Sequence, residues 1–281
     1  MLYDLHMHTH LSDGQMDPSD IEKLARERFS RGGVADHLSP YHKIKDEKSF
    51  NHYLKVIGKY DILKGCELCI GPKPVVSEES LSELDYVIGS VHALNFGEGL
   101  NFFFFDRVLR FPDIPVFIQK YVDTVIDAIN TLPIDILGHP LMLPLFLQKH
   151  NPQELFSDEQ IESIVKAGIN CGVAFEISSR WRVPDERFLK ICSDLGATFT
   201  FGSDAHLKDD AFNLDYPLQM FEAASLSMDH MFIPKKSSWG LQFDLYEIYF
   251  IASKILAPLT QLVEYLLFKE RALGSSPRWR N

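Results

Sequence analysis

The chain has 281 residues, 46% hydrophobic, 12% aromatic and 24% charged, with a formal net charge of −11. A composition this apolar excludes intrinsic disorder and predicts a substantial core, and the length suits either one α/β barrel or two smaller domains. The acidic balance argues against general nucleic-acid binding, which needs a basic face to release counterions from phosphates.

Four cysteines, Cys66, Cys69, Cys171 and Cys192, are too sparse for a disulfide framework and point to a reducing, cytoplasmic setting. The opening residues, Met1-Leu2-Tyr3-Asp4-Leu5-His6, lack the basic-then-apolar order of a signal peptide. The apolar stretch 246–268 is interrupted by Glu247, Lys254, Pro258 and Glu264, so it reads as a docking helix rather than a membrane span.

In chain order, short apolar runs that fit buried strands recur at 2–5, 33–35, 62–66, 86–91, 134–137, 173–177 and 198–201. Helical segments with good start signals fall between them, at 18–31, 115–132, 157–167 and 184–195. Such alternation predicts an α/β fold with a parallel sheet. With no Pro/Gly/Ser-rich linker between them, the seven runs suit one closed barrel; a doubly wound open sheet is the alternative.

Two segments stand outside the repeat. Segment 95–113 contains the run Phe102 to Phe105, too apolar for an idle loop, and is expected to form a lid or pocket wall, with an oligomer contact as the rival. In the tail from 227, Leu241, Leu245, Ile248, Tyr249, Ala252, Ile255 and Leu256 recur at helical spacing. That stripe needs an apolar partner, either the barrel exterior or a second subunit in a homo-oligomer.

Nearly every predicted strand runs into a residue that ligates metals: His6 and His8, His37, Glu67, His92, His139, then Asp204 and His206. The carboxyl ends of parallel barrel strands open on one face, so residues far apart in sequence converge there. His6-Met7-His8 and Asp204-Ala205-His206 each place two donors on the same side of an extended chain, and Asp13 follows in the loop after His8. Any one of these histidines alone reads as a satisfied core residue; together they predict a metal cluster. His10, His42, His52, His150 and His230 are assigned to surfaces and loops, and the Cys66/Cys69 pair to buried packing.

These residues resemble the polymerase and histidinol phosphatase (PHP) superfamily. The resemblance is carried by Asp4-Leu5-His6-Met7-His8-Thr9 with Ser12-Asp13-Gly14, by Ala35-Asp36-His37, and by Gly65-Cys66-Glu67. It continues in Ser90-Val91-His92, Gly138-His139-Pro140 and Gly202-Ser203-Asp204-Ala205-His206. It implies a distorted (β/α)7 barrel over 1–226, with 227–281 left as a C-terminal helical extension. It also implies a ligand set of His6, His8, Asp13, His37, Glu67, His92, His139, Asp204 and His206 around up to three divalent metals.

Imidazole-rich donor sets with a few carboxylates suit zinc, iron or manganese rather than magnesium or calcium. Three dications against the charges of Asp13, Glu67 and Asp204 leave the pocket cationic, which favours a small phosphorylated substrate. Two close metals lower the pKa of a bridging water until hydroxide exists near neutrality, so phosphate-ester hydrolysis needs no side-chain nucleophile. His206 or a neighbouring acid such as Asp204 then protonates the leaving alkoxide.

Arg180, Arg182 and Lys208 are candidate phosphate ligands, and Glu176 a residue that orients ligands or substrate. Phosphodiesters remain an alternative substrate class. An amidohydrolase reading is disfavoured because no lysine sits at a predicted strand end, and a non-catalytic metal-stabilised module because no ligand is missing.

Overall fold

Strand and helix alternate because each apolar run is followed by a segment carrying its own helix start. The computed structural model describes residues 3–28, 30–97, 100–106 and 113–234, all within one unit, Leu2–Lys236. The strands are β1 (Tyr3–Asp4), β2 (Arg31–Val34), β3 (His37–Leu38), β4 (Leu63–Ile70), β5 (Tyr86–Val91), β6 (Ala93–Asn95), β7 (Asn101–Phe103), β8 (Ile136–Leu137), β9 (Ala174–Ser178) and β10 (Phe199–Gly202). The helices are α1 (Pro18–Glu27), α2 (Glu47–Ile57), α3 (Glu78–Leu81), α4 (Ile114–Thr131), α5 (Pro152–Leu155), α6 (Asp158–Cys171), α7 (Glu186–Leu195) and α8 (Asp215–Ala223).

The main sheet runs β1-β2-β4-β5-β8-β9-β10, and every pair along it is parallel. β2 and β3 both pair with β4, Gly33 opposite Leu63 and His37 opposite Glu67, so they form one stave interrupted at Ala35 and Asp36. Seven staves result. The edges meet where Leu5 N donates to Phe201 O at 3.1 Å and His8 N to Ala205 O at 2.9 Å, which closes the α/β barrel.

Inside the barrel, Leu5, Ala35, Leu63, Tyr86, Ile88, Ile136 and Ala174 form a closed apolar layer. Tyr86 fills the space that Gly33 and Gly65 leave by lacking side chains: a Cβ at Gly65 would lie 2.3 Å from the ring. Its hydroxyl donates to Leu5 O at 2.6 Å. The outer faces of the strands pack on the helices through residues such as Val34, Leu68, Val87, Phe175, Ile177 and Phe201.

The helices start where side-chain caps satisfy the first N–H groups. Asp17 and Ser157 make capping boxes for α1 and α6, and Gly172 and Gly196, both left-handed, end α6 and α7. α1 stops at Glu27 rather than Arg31, which already belongs to β2. β4 extends to Ile70, past the predicted end at 66, because Glu67 faces the interior instead of marking a turn. α2 lies outside the predicted helices; Asp46 caps it, and Phe50, Tyr53 and Ile57 form its buried face.

The antiparallel hairpin β6-β7 and α8 are likewise additions to the predicted repeat. Residues 227–234, the start of the predicted C-terminal extension, lie against the barrel: Phe232 N donates to Phe199 O at 2.7 Å. The predicted helical stripe from Leu241 to Leu256 falls outside the described residues.

Candidate metal centre

Two buried aspartates fix the loops that present the predicted ligands. Asp4 accepts from the N–H groups of His6, Ser203 and Phe212, tying the β1 exit to the β10 exit. Asp36 accepts from Thr9 N, Thr9 Oγ1 and Ser12 Oγ at 2.8, 2.6 and 2.5 Å, folding the turn that carries Asp13 over the barrel mouth. Carboxylates suit this task because each accepts several charge-assisted bonds at once.

All nine predicted ligands converge there. Glu67 stands at the centre, its oxygens 2.6 Å from His37 Nδ1, 3.1 Å from His139 Nε2, 3.4 Å from His6 Nε2 and His92 Nε2, and 3.6 Å from His8 Nε2. Asp204 Oδ1 lies 3.1 Å from His8 Nε2 and 3.6 Å from His206 Nδ1. Asp13 reaches His37 Nε2 at 3.5 Å and His206 Nε2 at 3.4 Å. Four overlapping donor groups follow among the described residues: His6-His8-Glu67, Glu67-His92-His139 and His8-Asp13-His37-His206, all of predicted ligands, and His37-Cys69-His92.

The donor atoms fit divalent cations. His6 Nε2, both ring nitrogens of His8, His37 Nδ1 and Glu67 Oε2 are buried and make no well-aligned hydrogen bond, although His37 Nδ1 and Glu67 Oε2 face each other at 2.6 Å and His8 Nε2 lies 3.1 Å from Asp204 Oδ1. Buried polar atoms are paired in more than about 90% of cases, and an orphan costs ~1–3 kcal/mol. Five such atoms among converging imidazoles and carboxylates form a donor set that suits coordination of a cation better than hydrogen bonding. His139 and Asp204 also hold φ values of 29° and 52°, sparsely populated for residues with a side chain and common where function requires the strain.

The charges are strongly coupled. Burial works against ionisation of Glu67, yet His37, His92 and His6 around it hold its carboxyl well below the usual range. Asp13 is likewise held low by His206 and His37 against its partial burial. Burial and the neighbouring charge of His37 push His8 down to about 3, leaving a neutral imidazole with a free lone pair.

Glu176 stands beside two of the predicted ligands. Its Oε1 lies 2.7 Å from His6 Nδ1 and its Oε2 accepts the His139 N–H at 2.5 Å. With the proton on Nδ1, the His6 Nε2 lone pair faces Glu67 and Asp204. Gly202 makes room, since a Cβ there would sit 1.8 Å from Glu176 Oε1.

A cavity of about 220 Å³ opens on the cluster, lined also by Phe105, Arg180 and Trp181. Arg180 Nη1 lies 2.7 Å from His206 Nδ1 and donates to Asp204 O at 3.2 Å. Arg182 is elsewhere: it stands over the Tyr216 ring, 4.8 Å from the centroid, because its φ of 52° turns the chain away. Lys208 pairs with Asp20 at 2.7 Å, also off the cavity lining.

Of the Phe102 to Phe105 run, Phe102 and Phe104 are core residues, while Phe105 is 48% exposed and forms the wall with Trp181, ring centroids 5.7 Å apart. Trp181, absent from the sequence reading, donates from Nε1 to Asp204 Oδ2 at 2.6 Å. His42, assigned to a surface, stacks on His37 with ring centroids 4.3 Å apart. Cys69, assigned to packing, touches His92 through its sulfur at 3.4 Å.

The chain is similar over 246 residues, at 26% identity, to the "Probable histidinol-phosphatase" of Clostridium acetobutylicum; the match covers 80% of this chain and 95% of that one. Its fold is that of the histidinol phosphate phosphatase of Lactococcus lactis, solved with zinc, L-histidinol and phosphate. The TM-score is 0.58 at 17% identity, over 80% of this chain and 94% of that one. A Listeria monocytogenes chain gives a TM-score of 0.57 at 18% identity, over 77% and 99%. The PHP domain model matches residues 4–180, from the end of β1, just before His6, to the Arg180 beside the cavity, and the chain belongs to that family.

Proposed function

We propose that this chain is a phosphomonoesterase that hydrolyses a small phosphorylated amino alcohol, with histidinol phosphate the first compound to test. The activity is metal-dependent hydrolysis of a phosphate ester. His6, His8, Asp13, His37, Glu67, His92, His139, Asp204 and His206 hold two or three divalent transition-metal ions, which we take to be zinc, iron or manganese from the imidazole-rich donor set. The observation that carries the reading is the convergence of buried imidazole and carboxylate donors without well-aligned hydrogen bonds, on His6, His8, His37 and Glu67, beside a cavity that Arg180 lines.

Bound divalent ions supply Lewis acidity, bringing water to hydroxide near neutrality and neutralising phosphoryl charge. The chain's own residues do the rest. Arg180 presents a guanidinium fork to the phosphoryl oxygens. His206, the most exposed of the six imidazoles at 20%, is the candidate proton donor for the leaving alkoxide, a role that needs a proton rather than a metal ion on its Nε2, since Nδ1 faces the Arg180 guanidinium. Asp204 is held by the Trp181 indole and spans the His8 and His206 donors. Phe105 and Trp181 form an aromatic wall on one side of the cavity.

The four free thiols accord with a cytoplasmic enzyme. We assign residues 227–281 a structural rather than a ligating role. The test is phosphate release from histidinol phosphate and from a phosphodiester, by metal-replete protein. Preference for the monoester supports the proposal; turnover of the diester alone, or of neither, overturns it.

A further inference from the structure

β4 carries Glu67 and Cys69 two residues apart, hence on one face of the strand. The register sets Cys69 opposite Ser90 and Ile70 opposite Val91 on β5, just before His92. The Cys69 sulfur therefore comes to lie 3.4 Å from His92 Nδ1. The other nitrogen of that ring, Nε2, faces Glu67 Oε1 and His139 Nε2, each at 3.4 Å.

An ion bound by Glu67, His92 and His139 needs the lone pair of Nε2, which places the ring proton on Nδ1. A ligating histidine usually donates that proton to an oxygen acceptor, which fixes tautomer and ring orientation together. His6 follows the pattern through Glu176. At His92 a sulfur stands where the oxygen would be.

We propose that Cys69 is a positioning residue of the metal centre, its sulfur accepting the His92 Nδ1–H and so presenting Nε2 to the ion shared with Glu67 and His139. The inference rests on the metal-dependent reading of the site. Direct ligation by sulfur is the rival, because donor atoms of His37, Cys69 and His92 also lie within 4.8 Å of one another. The geometry favours positioning: the ring nitrogen beside the sulfur is the one turned away from Glu67 and His139.

The experiment compares wild type, C69A and C69S by titration with chelator-buffered zinc, and by absorption of the cobalt-substituted proteins. Positioning predicts that C69A weakens one ion by ~10–100-fold, that the C69S hydroxyl restores most of the loss, and that cobalt-loaded wild type shows no intense sulfur-to-cobalt charge-transfer band. Wild-type affinity for every ion in C69A would overturn the proposal. So would a charge-transfer band in wild type that vanishes in C69A. Should C69A fail to fold, nitrogen NMR of zinc-loaded wild type decides: a proton on His92 Nδ1 supports positioning, and a bare Nδ1 refutes it. Wild type that binds no ion at all sinks the metal-dependent reading itself, a result distinct from the others.

Discussion

Replacing Glu176 by glutamine separates the shape of this buried side chain from its chemistry. The carboxylate serves two donors, the His6 ring at 2.7 Å and the His139 backbone N–H at 2.5 Å. An amide of the same outline has only one acceptor oxygen. If that oxygen stays on His139 N, the NH2 faces His6 Nδ1, and the ring proton moves to Nε2, the nitrogen aimed at Glu67. If the oxygen turns to His6, the NH2 opposes the His139 N–H and leaves a buried donor unsatisfied, at ~1–3 kcal/mol.

Loss of an orienting partner typically lowers metal affinity ~10–100-fold, or ~1.4–2.8 kcal/mol at ~1.4 kcal/mol per factor of ten. We expect E176Q to keep the circular dichroism of wild type while binding the ion at His6, His8 and Glu67 weaker by that factor in chelator-buffered titration. Wild-type affinity for all ions in a folded E176Q would refute the orienting role of Glu176.

Arg180→Ala should raise KM for a phosphomonoester at least about tenfold, as loss of a charge-assisted bond of ~1.5–3 kcal/mol implies, whereas Arg182→Ala, remote from the cavity, should leave KM unchanged; steady-state kinetics of the pair check this. Phe104→Ala should lower stability by ~3–5 kcal/mol in urea unfolding, because that ring is buried against Phe117 and Tyr121. Phe105→Ala should leave the urea midpoint almost unmoved and raise KM. Metal affinity should rise with pH up to about 9: burial disfavours a charged His92 ring, but Glu67 and Cys69 beside it raise its pKa to about 9, so below that pH the ion must displace a proton. Calorimetry of zinc binding near neutrality, in buffers of different ionisation enthalpy, should show net proton release, and zero release would refute the coupling.

The convergence of the nine predicted ligands was legible because side chains able to bind metal stand at the ends of apolar runs, and a parallel barrel gathers those ends on one face. The period of two along a strand likewise made His6-Met7-His8 readable as a pair. Arg180 and Arg182 obey the same spacing, yet β9 ends at Ser178, so the period no longer governs where Arg182 points.

A run of four phenylalanines has no period at all; the β6-β7 hairpin and the turn after Phe103 decide that Phe104 goes inward and Phe105 faces the cavity. Cys69 is buried, as its packing assignment expected, but its place beside His92 was not legible because β4 was taken to end at Cys66; in the longer strand Cys69 shares the Glu67 face, while Cys66 belongs to the sheet-helix core. Trp181 carried no signal in its neighbours, since the indole bond to Asp204 depends on how two barrel exits lie side by side.

The most direct measurement strips the protein with chelator, returns zinc or manganese in steps, and follows bound metal by elemental analysis alongside phosphate release from histidinol phosphate. The account predicts no turnover in the stripped protein, activity that rises with occupancy to a plateau at two or three ions per chain, and loss of both in Glu67→Ala. Full activity with less than one ion per chain, or a metal-replete protein inert toward every phosphomonoester offered, would contradict it.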